Sequence, residues 1–177
     1  RKDMPNKRGA LLAMKPNGEI LAYYSYPSFD PNSWVGGISR AEFKALNENP
    51  DRPLINRVIR GRYPPASPFK LATAAMGLKR GLITGSTRMP VPCTGRGFRF
   101  GNRVFQCHNR TTGHGNLDLI GAVATSCDVY FYQLGLMLGE DAIFEEGAAF
   151  GVGDLAGIDL SDEQKSIFPS SLKSYVN

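Results

Sequence analysis

Several absences narrow the possibilities before any motif is considered. No apolar run approaches the roughly 20 residues that cross a bilayer as a helix. The opening stretch RKDMPNKR is not a signal peptide, so any anchor would lie upstream. There is no internal repeat and no low-complexity tract, which argues against a solenoid or a disordered chain. The net charge of +5 is modest and the basic residues read as scattered. No Lys/Arg run interleaved with aromatics marks a nucleic-acid groove. Cysteine is scarce, and its count of three is odd, so a pure disulfide framework is excluded.

What is present is an ordinary globular composition, 42% apolar and 21% charged over 177 residues, enough for one domain with a real core. The chain is organised around Tyr63-Pro64-Pro65-Ala66-Ser67-Pro68-Phe69-Lys70. Two prolines stiffen the approach, and Pro68 suits the first helical position because its missing N–H costs nothing there. FKLATAAMGLKRGL then predicts a helix over 69–82. Ser67 and Lys70 are three apart, so hydroxyl and amine share a face. A serine needs a base to become a nucleophile, and a partly desolvated lysine can supply it. The same spacing also arises in any helix with a capping serine and a solvated lysine.

In chain order, GALLAMKPNGEILAYYSY predicts a hairpin with strands near 9–15 and 19–25 about Asn17-Gly18, both of which tolerate positive φ. Residues 27–37 read as loop, with a turn at Asp30-Pro31-Asn32. Ser39-Arg40-Ala41-Glu42 is a capping box for a short helix to about Asn47. Leu54–Arg62 reads as a connector. After the Ser67 helix comes a Gly-, Pro- and Arg-rich region, about 83–116, holding a second hairpin, FRFGNRVF. LDLIGAVATSCDVYFYQLGLML is helical with a break near Ser126, and another helix follows over about 141–150. Trp34, Tyr130, Phe131 and Tyr132 read as packing residues. Glu140, Asp141, Glu145 and Glu146 read as a solvated helix face.

Two clusters carry chemistry. Ser126-Cys127-Asp128 interrupts an apolar helical stretch, as a cap or as a functional break. With Ser67 and Lys70 it forms the constellation of serine acyl-transferases that react with penicillin. Cys93, Cys107, His114 and Cys127 are a Cys₃His set suited to tetrahedral structural zinc, although the spacing is no finger signature. A Cys93–Cys107 disulfide across the hairpin is the alternative.

Longer stretches are more specific. GALLAMKPNGEILAYYSYPSFDPNSWVGGIS, NPDRPLINRVIRGRYPPASPFK, Gly113-His114-Gly115, SCDVYFYQLG and Gly157-Ile158-Asp159-Leu160 cover almost the whole chain. Together they resemble the transpeptidase domain of the penicillin-binding protein 2 family, the cell-elongation enzymes of Gram-negative-type bacteria. Ala66 and Pro68 stand where that family more often has Gly and Thr, and Asp128 replaces the Asn of the wider superfamily's second motif.

The resemblance implies an α+β fold of the penicillin-binding transpeptidase and serine β-lactamase type, with helices on an antiparallel sheet that includes the Asn17-Gly18 hairpin. It implies one partial transpeptidase domain over 1–177, with a hairpin and zinc-loop subregion at about 83–116. It implies a D,D-transpeptidase that cross-links peptidoglycan stem peptides through a Ser67 acyl-enzyme and is blocked covalently by β-lactam antibiotics. Lys70 would be the base, Ser126 a proton relay and Asp128 a holder of Lys70 or substrate; the Ser67 N–H would form half the oxyanion hole. Zinc would sit on the loop residues and Cys127, with His108 competing with Cys107. No organic cofactor is expected.

Expected partners are the membrane glycosyltransferase and scaffold proteins of the elongation complex, and no nucleic acid. The expected location is the periplasm, in a protein anchored to the inner membrane. The superfamily's third motif, Lys-Thr/Ser-Gly, does not occur, and Lys173-Ser174-Tyr175 is the nearest string. The chain therefore looks like the front of the domain and is expected to be inactive alone. The rival readings are a serine β-lactamase and a non-catalytic, zinc-stabilised scaffold.

Overall fold

The computed structural model describes residues 8–169 and 171. The Lys173-Ser174-Tyr175 string lies outside them. Two compact units divide the chain, one from the residues up to Arg62 together with Gly157–Lys165, the other from Tyr63–Ala156 and the residues from Ser166 on.

In the first unit, β1 (Gly9–Met14) pairs antiparallel with β2 (Ile20–Tyr26). The register runs Gly9↔Tyr26 to Ala13↔Ala22 and slips to Met14↔Ile20. The turn differs from the two-residue Asn17-Gly18 expectation. Lys15 N–H donates to Glu19 O and Gly18 N–H donates to Lys15 O, each at 2.9 Å, leaving a three-residue loop, Pro16–Gly18. Pro16 fixes φ as the first loop residue requires, and only Gly18, at φ +91°, enters the left-handed region.

Asp30 caps a 3₁₀ turn over Pro31–Trp34 by accepting the Asn32 N–H. Ser39 caps α1 (Arg40–Glu48), accepting the Glu42 N–H at 3.2 Å while its hydroxyl donates to the Glu42 carboxylate at 3.0 Å. The expected connector holds a short helix, α2 (Arg57–Arg60). Arg57 is buried and donates to the carbonyls of Asp51 and Arg52. An arginine satisfied by main-chain oxygens can anchor an irregular segment that has too few apolar side chains to pack itself.

The second unit contains α3 (Phe69–Lys79), β3 (Phe98–Phe100), β4 (Arg103–Phe105), α4 (Leu119–Ala124), α5 (Asp128–Leu138) and α6 (Glu140–Ala149). α3 stops before Leu82 because Gly81 turns left-handed at φ +67°. The N–H groups of Gly81 and Leu82 then donate to the carbonyls of Leu78 and Gly77, each at 3.0 Å, the Schellman pattern.

The same pattern ends α4. Ser126 N–H donates to Val123 O and Cys127 N–H to Ala122 O, but the left-handed position, φ +51°, belongs to Ser126 rather than to a glycine. That is the expected break near Ser126. β3 and β4 join through Gly101-Asn102, with Gly101 at φ +58°. The strands among the described residues thus form two separate two-stranded sheets, each pairing sequence neighbours, within a mixed α and β architecture.

The core of this unit lies between α3, α4, α5 and α6. Met76 and Leu134 are completely buried, and Gly77 lets α3 approach α5 closely: a Cβ there would stand 2.9 Å from Leu134 Cδ1. Leu134→Ala would remove the side chain that fills this contact. The expected cost is about 2–5 kcal/mol, read as a lower urea midpoint at unchanged slope; a loss below about 1 kcal/mol would contradict this packing.

Candidate active site

Ser67 lies exposed on the turn that enters α3, and Lys70 lies one turn further along that helix. Ala66, just before Ser67, sits at φ +49°. Its methyl group makes that left-handed conformation unfavourable by about 1–2 kcal/mol. This sharp turn directs the chain into α3, and no hydrogen bond engages the Ser67 N–H among the described residues.

The break between α4 and α5 faces this turn. Ser126 Oγ donates to Ser67 Oγ at 2.8 Å. Lys70 Nζ donates to Ser126 Oγ at 3.0 Å, to the Ser126 carbonyl at 2.8 Å and to Asp128 Oδ1 at 2.5 Å. Those three contacts use the three protons of an ammonium. The four residues singled out in the sequence therefore form one hydrogen-bonded chain, Asp128–Lys70–Ser126–Ser67. Lys70 reaches Ser67 through Ser126.

Asp128 is largely buried. Burial by itself would raise its carboxyl, but the Lys70 hydrogen bond, the His108 backbone N–H and the Lys70 charge outweigh it and hold the group below the usual carboxylate range. It is ionised at neutral pH. Its second oxygen accepts the His108 N–H at 3.1 Å. The Phe131 ring lies 5.7 Å from Lys70 Nζ, adding a π face beneath the ammonium.

The second cluster adjoins the first through Cys127. The donor atoms of Cys93, Cys107, His114 and Cys127 lie within 4.8 Å of one another and could hold a metal ion. His114 Nδ1 is 3.4 Å from Cys107 Sγ and 3.7 Å from Cys93 Sγ. All three cysteines are free and buried, so the Cys93–Cys107 disulfide is not formed. His108 is exposed and joins a different triplet, with Cys107 and Asp128. Burial, reinforced by the neighbouring thiols, pushes the Cys127 thiol up to about 12. Burial and then the nearby His108 lower His114, which favours the neutral imidazole that ligates metals.

The comparisons decide the family. The penicillin binding protein transpeptidase domain model matches residues 9–176. The chain belongs to the penicillin-binding protein transpeptidase family. The peptidoglycan D,D-transpeptidase MrdA of Acinetobacter baumannii is 36% identical over 172 residues, covering 94% of this chain and 25% of that protein. The penicillin-binding protein PBP2 of Helicobacter pylori, solved in complex with MreC, superposes with a TM-score of 0.86 at 36% identity, covering 97% of this chain and 32% of that one. Penicillin-binding protein A of Mycobacterium tuberculosis, solved as a penicillin G acyl-enzyme complex, gives 0.77 at 29% identity, covering 92% and 38%. This chain thus spans about a quarter of the length of the curated relatives it matches.

Three features of this family member lie beyond the sequence reading. The His108 N–H bond to Asp128 comes from the main chain and leaves no residue signature. Phe131 packs, as expected, but does so against the lysine. Gln133, read only as part of a helix, clamps the Val91 backbone with both amide atoms, its oxygen accepting the Val91 N–H and its nitrogen donating to the Val91 carbonyl, each at 2.9 Å.

The Gly113-His114-Gly115 motif has a steric reason. A Cβ on Gly113 would lie 2.1 Å from the Cys93 carbonyl oxygen and 2.4 Å from the Gly95 nitrogen. Both are main chain and cannot step aside. Gly113→Ala should therefore spring the loop and expose the sulfurs. We expect three thiols to react with a disulfide reagent under native conditions, against protection in the parent; protected thiols in the variant would contradict this close approach.

Proposed function

We propose that this chain carries the acylating centre of a peptidoglycan D,D-transpeptidase acting in cell elongation, inhibited covalently by β-lactams. One observation carries the proposal, the hydrogen-bonded chain from Asp128 through Lys70 and Ser126 to Ser67. Its nucleophile stands on the exposed side and its charges are withdrawn from solvent.

Ser67 Oγ attacks the carbonyl carbon of the penultimate D-Ala of a stem peptide. With Lys70 as the free amine, the hydrogen bonds reverse: Ser126 Oγ donates to Nζ and accepts from Ser67. The Ser67 proton then leaves in two hops, Ser67 to Ser126 and Ser126 to Lys70. Charge developing on the substrate oxygen is met by the unengaged Ser67 N–H. Lys70 returns the proton to Ser126, and Ser126 passes its own to the leaving D-Ala nitrogen as the C–N bond breaks, leaving the acyl-enzyme. An amine from a second stem peptide displaces Ser67 and restores its hydroxyl. A β-lactam follows the first half, but its leaving nitrogen stays tethered. Asp128 orients Lys70 and stabilises its ammonium between steps.

The Cys₃His donors fit zinc. With Zn–S near 2.3 Å and Zn–N near 2.0–2.1 Å, tetrahedral ligands place nitrogen and sulfur about 3.6 Å apart. The two observed His114–cysteine distances, 3.4 and 3.7 Å, bracket that value. Cys93, Cys107, His114 and Cys127 would hold the ion, which would be structural, stabilising thiolates and tying the loop to the Ser126–Asp128 turn.

The likeness to the MreC-bound relative supports a scaffold protein as partner, and a likeness at TM-score 0.78 to a peptidoglycan synthase complex that coordinates polymerization and crosslinking supports a membrane glycosyltransferase. The work belongs in the periplasm, on a protein held at the inner membrane. No described helix is long and apolar enough to cross a membrane.

The test is intact mass and peptide mapping of the native polypeptide containing this chain after incubation with penicillin G. One persistent adduct on Ser67, absent in Ser67→Ala, is the expected result. Ser126→Ala should slow its formation by roughly 10²–10⁴-fold, the usual worth of positioned proton transfer. An adduct that forms and vanishes while drug is consumed would mean a β-lactamase. A folded protein without an adduct would be a scaffold.

Chelation supplies a second check. Zinc removal, verified by elemental analysis, should slow acylation, because the Cys127 turn also carries Ser126 and Asp128. Unchanged acylation by zinc-free protein would sink the structural role.

A further inference from the structure

Beyond the acylating centre, the second unit exposes an aromatic cup. Its wall is Phe98, Phe100 and Phe105 from the β3–β4 hairpin with Tyr132 and Leu136 from α5, enclosing about 140 Å³. That volume suits one large apolar side chain. Phe100 is 56% and Leu136 50% exposed, so the cup opens to solvent. The one polar side-chain group among these residues, the Tyr132 hydroxyl, is already engaged, donating to Gln106 O at 3.0 Å.

One cation stands beside the cup. Register places Arg103 opposite Phe100, hence on the cup's face of the hairpin. Arg96 and Arg110 lie nearby in sequence, while Arg99, opposite Val104, is on the other face of the hairpin. All four are exposed, and none enters an ion pair among the described residues. Between Asp51 and Asp118 there are twelve Lys and Arg residues and no Asp or Glu; of these, Arg52, Arg57, Arg60 and Arg62 belong to the first unit and Lys70, Lys79, Arg80 and Arg88 are paired with carboxylates, which leaves these four arginines. The basic residues that read as scattered are in fact segregated.

We infer that this cup docks an acidic peptide segment of a partner protein, anchored by one large apolar side chain. An apolar pocket with a cation beside it selects an apolar anchor flanked by carboxylates. The lining offers a sugar no free hydrogen-bonding group. Seating would be felt at the acylating centre. Phe105 packs on Tyr132 with ring centroids 5.6 Å apart, Tyr132 holds Gln106, and two residues on the His108 N–H holds Asp128. Docking itself does not depend on the proposed catalysis, whereas its effect on acylation rests on that proposal.

A random-peptide phage library selected on the native protein tests this, with binding of the enriched peptides then measured in solution. Enriched peptides should carry Asp or Glu around one Leu, Phe or Trp and bind more weakly as salt rises. They should lose at least tenfold in affinity to Phe100→Ser and to Arg103→Glu. Neither residue is buried, and unchanged thermal melting of each variant confirms its fold. Peptides without acidic residues, or ones that bind both variants as well as the parent, would overturn the inference. So would Phe100-dependent binding to phosphatidylglycerol vesicles without acidic-peptide enrichment, which would make the cup a lipid contact. An enriched peptide should also change the rate of penicillin adduct formation at least threefold; tight binding with an unchanged rate would overturn the coupling to Asp128 while leaving the docking site.

Discussion

The contact between Lys70 Nζ and Asp128 Oδ1 is the interaction on which the rest of the second unit depends. It joins the start of α3 to the start of α5, two elements far apart in sequence. The lysine then has two protons left, and both go to Ser126, one to its carbonyl and one to its hydroxyl. The carboxylate has one oxygen left, and it takes the His108 N–H. The pair therefore fixes the helix break on one side and the backbone of the 83–116 loop on the other. Removing one partner of a well-buried pair costs about 3–5 kcal/mol, because the other charge is left uncompensated. Here both side chains keep some solvent, so the lower end applies to stability. The larger consequence is geometric, since Ser126 would lose the donor that positions its hydroxyl.

Much of this centre was legible in the sequence because its parts are local. Ser67 and Lys70 are three apart on a helix, and a Ser-Cys-Asp string in an apolar helical run can be read without knowing what faces it. Their meeting is a tertiary fact, and it came from resemblance to a family rather than from spacing. The Cys₃His set was legible as a donor inventory only, because no local rule brings residues 93, 107, 114 and 127 together. Failures elsewhere have the same origin. Pro16 makes the first turn a three-residue loop rather than a two-residue turn at Asn17-Gly18. Arg57 is buried by main-chain carbonyls, which have no side-chain signature. The segregation of basic charge was open to counting, since no acidic residue lies between Asp51 and Asp118.

Two non-glycine residues held left-handed, Ala66 and Ser126, lie beside the two bonded hydroxyls. Each conformation costs about 1–2 kcal/mol, but the two are held for different reasons. Ser126 cannot be glycine, because its hydroxyl is the bridge between Lys70 and Ser67. Ala66 offers no such atom, which is consistent with glycine being the commoner residue there in the resembling family. The same Schellman geometry ends α3 with Gly81 and α4 with Ser126. The difference between them is the strain accepted where a side-chain hydroxyl bridges Lys70 and Ser67.

Strain of this kind persists only where surrounding structure over-determines it, and α4 is short and half-exposed. The restraint comes from below and beside. Cys127, 1% exposed, follows Ser126 directly and anchors the turn in the core with Cys93 and Cys107. Buried sulfurs thus do in this loop-rich region what leucines do between α3 and α5. They pack as small apolar groups, and they can also bind a cation. On the proposed zinc reading, three thiols and one imidazole within ligating distance also join the 83–116 loop to the turn carrying Ser126. On that reading the donor set belongs to the same constraint as the Lys70–Asp128 pair: the pair holds the helix break from the α3 side, and the bound ion would hold it from the loop side.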